Sequence, residues 1–346
     1  ILIIGTILAS WMGTTGASML LIRPLIRANV SRENKTHIFV FFIFLVSNIG
    51  GALTPLGDPP LFLGFLKGVD FFWTTTNLFL PLIYISIPLI LLFFVTDSYF
   101  YSKETKTLTN ENFSFKIDGK RNLFLILFII VSVVISGVWK ADAAIEGNWF
   151  IEYGNECIMT YGTFLQVSAL LLITFISLKI TPLSIRLKND FSWEPVKEVT
   201  KLFATIFITM VPAISMLKAG LDGPLNKIIT LLTNSNGDSI NFMYFWVTGI
   251  LSSFLDNAPT YLVFFETAGG NAGDLMTDNA ETLIAISAGA VFMGAMSYIG
   301  NAPNFMVKSI AEQNKIKMPS FFGYMIWSIA VLVPVLIIFS LLYFTD

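Results

Sequence analysis

Four stretches of this chain, 77–97, 122–139, 161–180 and 323–344, are unbroken apolar runs, each near the ~20 residues that cross a bilayer as a helix. Of the 346 residues, 55% are apolar and 13% charged, against roughly 25% charge in a soluble domain. Such a chain lacks the ions to coat a water-facing surface, so an all-α polytopic membrane protein with the lipid bilayer as partner is expected. The net charge of −2 and the lack of a basic cluster interleaved with aromatics argue against nucleic acid. One cysteine, Cys157, precludes an internal disulfide framework, and one histidine, His37, leaves no zinc site. No cofactor is expected. Because Ile1 opens inside an apolar run without Met or a basic n-region, the chain reads as an N-terminally truncated fragment.

A further crossing is expected over 202–217, bracketed by Lys201 and Lys218. Residues 37–67 and 280–310 are also long enough to span. Pro55, Gly57, Pro59 and Pro60 interrupt the first, and Gly300 and Pro303 the second, so both read as broken helices. Apart from Lys67, Lys140, Lys218 and Lys227, the 21 basic residues fall in clusters at 23–35, 103–121, 179–201 and 308–317. The positive-inside rule puts those clusters in the cytoplasm. The apolar stretch 241–265 must then enter and leave on the outer face, as a re-entrant hairpin turning at Asp256-Asn257-Ala258-Pro259.

Shifting the chain by 243 residues lays Ile7–Trp11 on Ile250–Phe254, and GALTPLGDPPLF (51–62) on GAMSYIGNAPNF (294–305) with five identities. This is an internal duplication. Five crossings separate the copies, and an odd number inverts the second. The expected division is a first repeat at 1–100, comprising a hairpin at 1–28 turning at Gly13–Gly16, the broken helix 37–67 and the span 77–97. A cytoplasmic linker follows at 101–121. The second repeat, at 122–346, holds the spans 122–139, 161–180 and 202–217, the hairpin 241–265, the broken helix 280–310 and the span 323–344. Since that copy starts near Asn122, about 120 residues are expected to precede Ile1.

Helices broken in lipid expose unpaired N–H and C=O groups that cost several kcal/mol each unless something binds them. Paired breaks in inverted repeats point to a transporter's binding site near the midplane. Two acids lie at hydrophobic depth, Asp58 and Asp256, with no Lys or Arg beside them, and an intramembrane carboxylate is a functional hypothesis by default. Asp58 precedes Pro59, which also fits an N-cap with Pro at N1; if capping is its main role, Asp256 is the more critical acid. At the 243 shift Asp58 falls on Asn301 and Asp256 on Gly13, so the site is asymmetric. Ser47, Asn48 and Thr54, Ser297, Asn301 and Asn304, and Thr14, Thr15, Asn257 and Thr260 bring oxygens and amides to the breaks and hairpins. Hard oxygens of this kind suit a small cation, and Asp256, Asn257, Asp58 and Asn301 are the Na⁺ candidates.

SNIGGALTPLGDPP (47–60), SSFLDNAPT (252–260) and MSYIGNAPN (296–304) resemble the ion transporter superfamily. Within it they are most similar to the citrate-transporter-like group that includes D-type Na⁺/H⁺ antiporters and arsenite-pump membrane subunits. The resemblance covers essentially the whole chain. It implies two inverted repeats forming a transport domain that moves against a dimeric scaffold, hence a homodimer, in a multi-pass cell-membrane protein of the prokaryotic inner-membrane kind. By that likeness Asp256, Asn257, Asp58 and Asn301 map onto the hairpin and break motifs. The Ser-Asn-Thr signatures of the dicarboxylate branch are absent, the hairpin tips reading GTTG and DNAP.

Three functions fit a pair of membrane-buried acids. A Na⁺/H⁺ antiporter would let Na⁺ and protons compete for the same oxygens. A Na⁺- or H⁺-coupled citrate or organic-anion carrier would bind carboxylates at half-helix N-termini. An intramembrane aspartyl protease needs two acids, but Pro55-Leu56-Gly57-Asp58 lacks the leading Gly of a GxGD motif and Asp256 is not in a Tyr-Asp pair, so no enzyme is expected. The antiporter is the leading expectation and the citrate carrier the alternative, with Na⁺ and H⁺ as transported species.

Overall fold

A computed structural model describes residues 1–104, 119–146, 150–153, 157–188, 226–234 and 237–344, with isolated positions between 193 and 224. The chain packs as two units, Ile1–Thr109 with Ala204–Asp346, and Asn110–Phe203. Most of the expected crossing 202–217 and most of the linker 101–121 lie outside the described residues.

The larger unit opens with α1 (Leu2–Met12) and α2 (Thr14–Ala28), which meet at Gly13. Gly13 has φ of +85°, a left-handed conformation that glycine adopts without steric cost. Next, α3 (Thr36–Leu45) runs into a 3-10 turn at Ile49–Leu53, and the backbone extends before α4 (Pro59–Leu66). The long α5 (Trp73–Ser102) completes this half.

The smaller unit contains α6 (Arg121–Glu146), a two-stranded antiparallel hairpin β1 (Phe150–Tyr153) and β2 (Cys157–Thr160), then α7 (Tyr161–Ile180) and α8 (Leu183–Lys188). The spans expected at 122–139 and 161–180 fall within α6 and α7. The strands are a small departure from an all-α fold, in a segment rich in aromatic and β-branched residues. Thr181 donates to Asn122 Oδ1 at 3.0 Å, tying the end of α7 to the start of α6.

The larger unit resumes with α9 (Asn226–Leu232), α10 (Asn241–Phe254), α11 (Asn257–Thr267), the short α12 (Ala272–Met276) and α13 (Ala280–Met293). A 3-10 turn at Gly294–Met296 leads to a second break and α14 (Ala302–Gln313). The chain then runs through α15 (Phe321–Trp327) and a π-helical turn at Ser328–Leu332 into α16 (Val333–Tyr343).

Burial sorts these helices. In α3 every residue from Ile38 to Leu45 is buried, and α13 is buried from Thr282 to Met293; a helix apolar all round belongs inside a bundle. By contrast, Trp73–Ser102 and Phe321–Tyr343, each long and apolar enough to cross a membrane, are only 33% buried over their apolar window. Thr36–Leu53 is the third such segment and is almost wholly buried. The broken helices therefore form the centre of this unit, with apolar flanks outside. Close approach depends on small residues: a Cβ at Gly249 of α10 would lie 2.0 Å from Met293 Sδ, and one at Gly289 of α13 would lie 2.5 Å from the Phe245 carbonyl.

Candidate functional site

Four helices start around one carboxylate. Thr14 opens α2, Pro59 opens α4, Asn257 opens α11 and Ala302 opens α14, with Asp58 and Asn301 at the N-cap positions of α4 and α14. Asp58 and Asn301 share an extended backbone, φ/ψ −143°/145° and −155°/140°, that turns the chain into each second half-helix. At Asp58 the ring of Pro59 forces this, since the residue before proline is pushed out of the helical region; at Asn301 the proline comes one residue later, where Pro303 fits the first turn of α14.

Asp58 is 2% exposed. Its Oδ1 accepts from Thr14 Oγ1 at 2.9 Å and from Asn301 Nδ2 at 2.9 Å, and its Oδ2 accepts from Asn257 Nδ2 at 2.5 Å. Among the described residues no Lys or Arg pairs with it. Hydrogen bonds to a charged group contribute roughly 1.5–3 kcal/mol each, which offsets part of the several kcal/mol needed to withdraw a carboxylate from water. These donors solvate the charge but do not neutralise it. A second feature lies beside it: Asn257 is fully buried, and its Oδ1 has no hydrogen-bond partner among the described residues. A buried carbonyl-type oxygen without a donor, next to a carboxylate without a counter-charge, is the polarity that a cation complements.

The surrounding amides are satisfied. Asn48 Nδ2 donates to Asn304 Oδ1 at 2.7 Å and to the Ile43 carbonyl at 2.8 Å. Asn304 Nδ2 donates to the Gly294 and Ser297 carbonyls, taking up groups the second break leaves open. Asn301 Nδ2 also reaches Asn48 Oδ1 and the Ser47 carbonyl, both at 3.2 Å. The Ser47 hydroxyl pairs with Ser18 of α2 at 2.8 Å.

Other expected residues have different places. Thr54 donates to the Ser10 carbonyl, and Ser297 donates to the Ser253 carbonyl at 2.5 Å; both pin a break to a neighbouring helix and do not touch Asp58. Thr15 is exposed and stands outside the cluster. Thr260 donates back to the Asp256 carbonyl at 3.0 Å. Asp256 caps α11, accepting from the Ala258 N–H at 3.2 Å, and is only partly buried. The Asp58 side chain, by contrast, makes no cap bond although it occupies an N-cap position. The capping role that the sequence suggested for Asp58 thus belongs to Asp256, because the Asp58 carboxylate turns away from α4 toward donors on three other helices.

Sequence reasoning missed Ser10 and Ser253. Ser10 donates to the Gly50 carbonyl at 2.5 Å, and Ser253 donates to the Met293 carbonyl at 3.0 Å. They lie 243 residues apart, as do their acceptors and the Thr54 and Ser297 hydroxyls that bond back to their carbonyls. Serine at both positions of the aligned ILASW and ILSSF segments was the available signal.

A family described as "Putative citrate transport" matches residues 1–344, and the chain belongs to that family. No curated protein compared with the chain matches it.

Proposed function

We propose that this member of the citrate-transport family is a multi-pass secondary transporter in which Na⁺ and protons compete for Asp58, giving Na⁺/H⁺ antiport by alternating access. The observation that carries this is the Asp58 carboxylate, buried among three neutral donors and, among the described residues, with no positive side chain paired to it and no donor on the neighbouring Oδ1 of Asn257. A proton or a small cation each completes such a site, and exclusion of one by the other couples their fluxes without further machinery.

Several features support an inverted repeat with re-entrant hairpins as the frame. The hydrogen bonds of Ser10 and Thr54 recur 243 residues later at Ser253 and Ser297. With 11, 14 and 11 residues, α1, α10 and α11 reach about 16–21 Å, against roughly 30 Å of hydrocarbon. A helix pair of that length returns to the side it came from.

The second reading is a Na⁺- or H⁺-coupled citrate carrier, favoured by the description of the family. Here Asp58 carries the coupling ion, and the N-termini of α2, α11 and α14 offer N–H groups to the anion. Proton flux in sealed, everted vesicles on adding Na⁺, Li⁺ or citrate separates the two. In the antiporter, Na⁺ or Li⁺ alone releases protons, and the apparent Na⁺ affinity falls as the medium is acidified, because protons occupy the same oxygens. Citrate uptake without cation-driven proton movement would select the carrier.

A further inference from the structure

Asn301 donates to Asp58 across an interval of 243 residues, the shift that superposes the two halves of the sequence, so each residue touches its own counterpart. Contact between equivalent positions occurs where an isologous, two-fold relation brings copies together. The other donors obey it. Thr14 and Asn257 are counterparts at the same shift, and both reach Asp58, one on each oxygen. So do the helices: α2 of the first copy packs on α14 of the second, and α11 of the second packs on α4 of the first.

We infer that Asn301 is a specificity-determining residue, holding the carboxylate count on this axis at one and so selecting a monovalent over a divalent cation. The inference rests on the cation-coupled reading above and adds the charge class of the ion. A symmetric pair at 58 and 301 would be two acids or two amides. Two carboxylates at hydrogen-bond distance either share a proton, so that only one is ionised, or both ionise around a doubly charged ion, which then binds best of all. Two amides carry no charge to exchange. One of each leaves a single negative charge, which one Na⁺ or one proton balances. Thr14, Asn257 and Asn48 are neutral and leave that count unchanged. Asp256, the next acid, is bonded to the N-terminus of α11, whose dipole offsets part of its charge.

The test is thermal stabilisation of the purified full chain in detergent, titrated with NaCl, LiCl, MgCl₂ and MnCl₂ at constant ionic strength. Wild type is expected to respond to Na⁺ or Li⁺ at lower concentration than to either divalent ion. Asp58→Asn loses the monovalent response. Asn301→Asp shifts the ratio of divalent to monovalent midpoints toward divalent ions by about tenfold or more, as ligand charge count sets affinity at hard-cation sites. The exchange Asp58→Asn with Asn301→Asp conserves composition and charge. It regains the monovalent preference, because the carboxylate has moved only to the other side of the axis. An unchanged ratio in Asn301→Asp, or an exchange variant that behaves like Asp58→Asn, overturns the inference. If Asn301→Asp does not fold, the exchange variant decides alone. A wild type stabilised by divalent ions in preference overturns the inference but leaves cation coupling standing, whereas a wild type indifferent to all four salts removes both.

Discussion

Asn257, the first residue of α11, donates its side-chain amide to Asp58 at 2.5 Å, joining a helix start in the second half of the chain to the break in the first. Three of the four helix starts at the site send a neutral donor to this carboxylate, which gives Asp58 and Asp256 different weights.

Asp58→Asn is expected to abolish cation-dependent proton flux while the protein still inserts and elutes as wild type. The variant keeps shape but removes the charge that three donors face. Asp256→Asn is expected to be milder, since asparagine caps a helix nearly as well as aspartate. Vesicle flux on both variants at matched protein level checks this; full exchange by Asp58→Asn would reject the site.

Backbone approach at the two breaks leaves no room for a side chain. A Cβ at Gly57 would stand 2.1 Å from the Gly51 carbonyl oxygen, and one at Gly300 would stand 2.5 Å from that of Gly294. Gly57→Ala and Gly300→Ala should each destabilise by about 1–3 kcal/mol or more, seen as a lower melting temperature in detergent. At Gly16 the nearest atom is 4.0 Å away, so Gly16→Ala should stay within about 0.5 kcal/mol. Equal effects at all three would show that the breaks are not tightly packed.

Away from the site, Arg32 holds the loop after α2 to the end of α5, pairing with Asp97 and Glu104 at 2.9 Å each. Asp97 Oδ1 is also 2.9 Å from His37 Nε2. Burial works against the Arg32 charge, yet the bonds and charges of Asp97 and Glu104 leave its pKa raised above the ordinary value. Arg32→Gln removes the positive charge that Asp97 and Glu104 share. It should cost about 1–3 kcal/mol, less than a fully buried pair because the groups are partly solvated. The melting temperature should fall, and high salt should narrow the gap to wild type.

Orientation can be read from Cys157, the single cysteine. With the basic clusters in the cytoplasm, the 140–160 segment faces outward. An impermeant maleimide should label right-side-out vesicles and spare everted ones; the reverse pattern would invert the topology.

Much of this protein was legible in its residues because lipid imposes few choices. Apolar length marks a helix, proline before an apolar run marks a break, and the 243-residue shift predicted a duplication whose hydrogen bonds recur at Ser10 and Ser253. Local chemistry also placed Asp58 and Asn301 at helix starts, through the prolines that follow them. What sequence by itself left undecided was the direction in which each side chain turns. An aspartate before Pro59 and one before Asn257 look alike as caps, and the carboxylate that becomes the hub depends on which donors distant segments bring within 3 Å. Thr14, Asn257 and Asn301 lie 44, 199 and 243 residues from Asp58. Their convergence is a property of helix packing, since only tertiary contacts decide which of several buried polar groups face one another and which, like Asn257 Oδ1, are left without a donor.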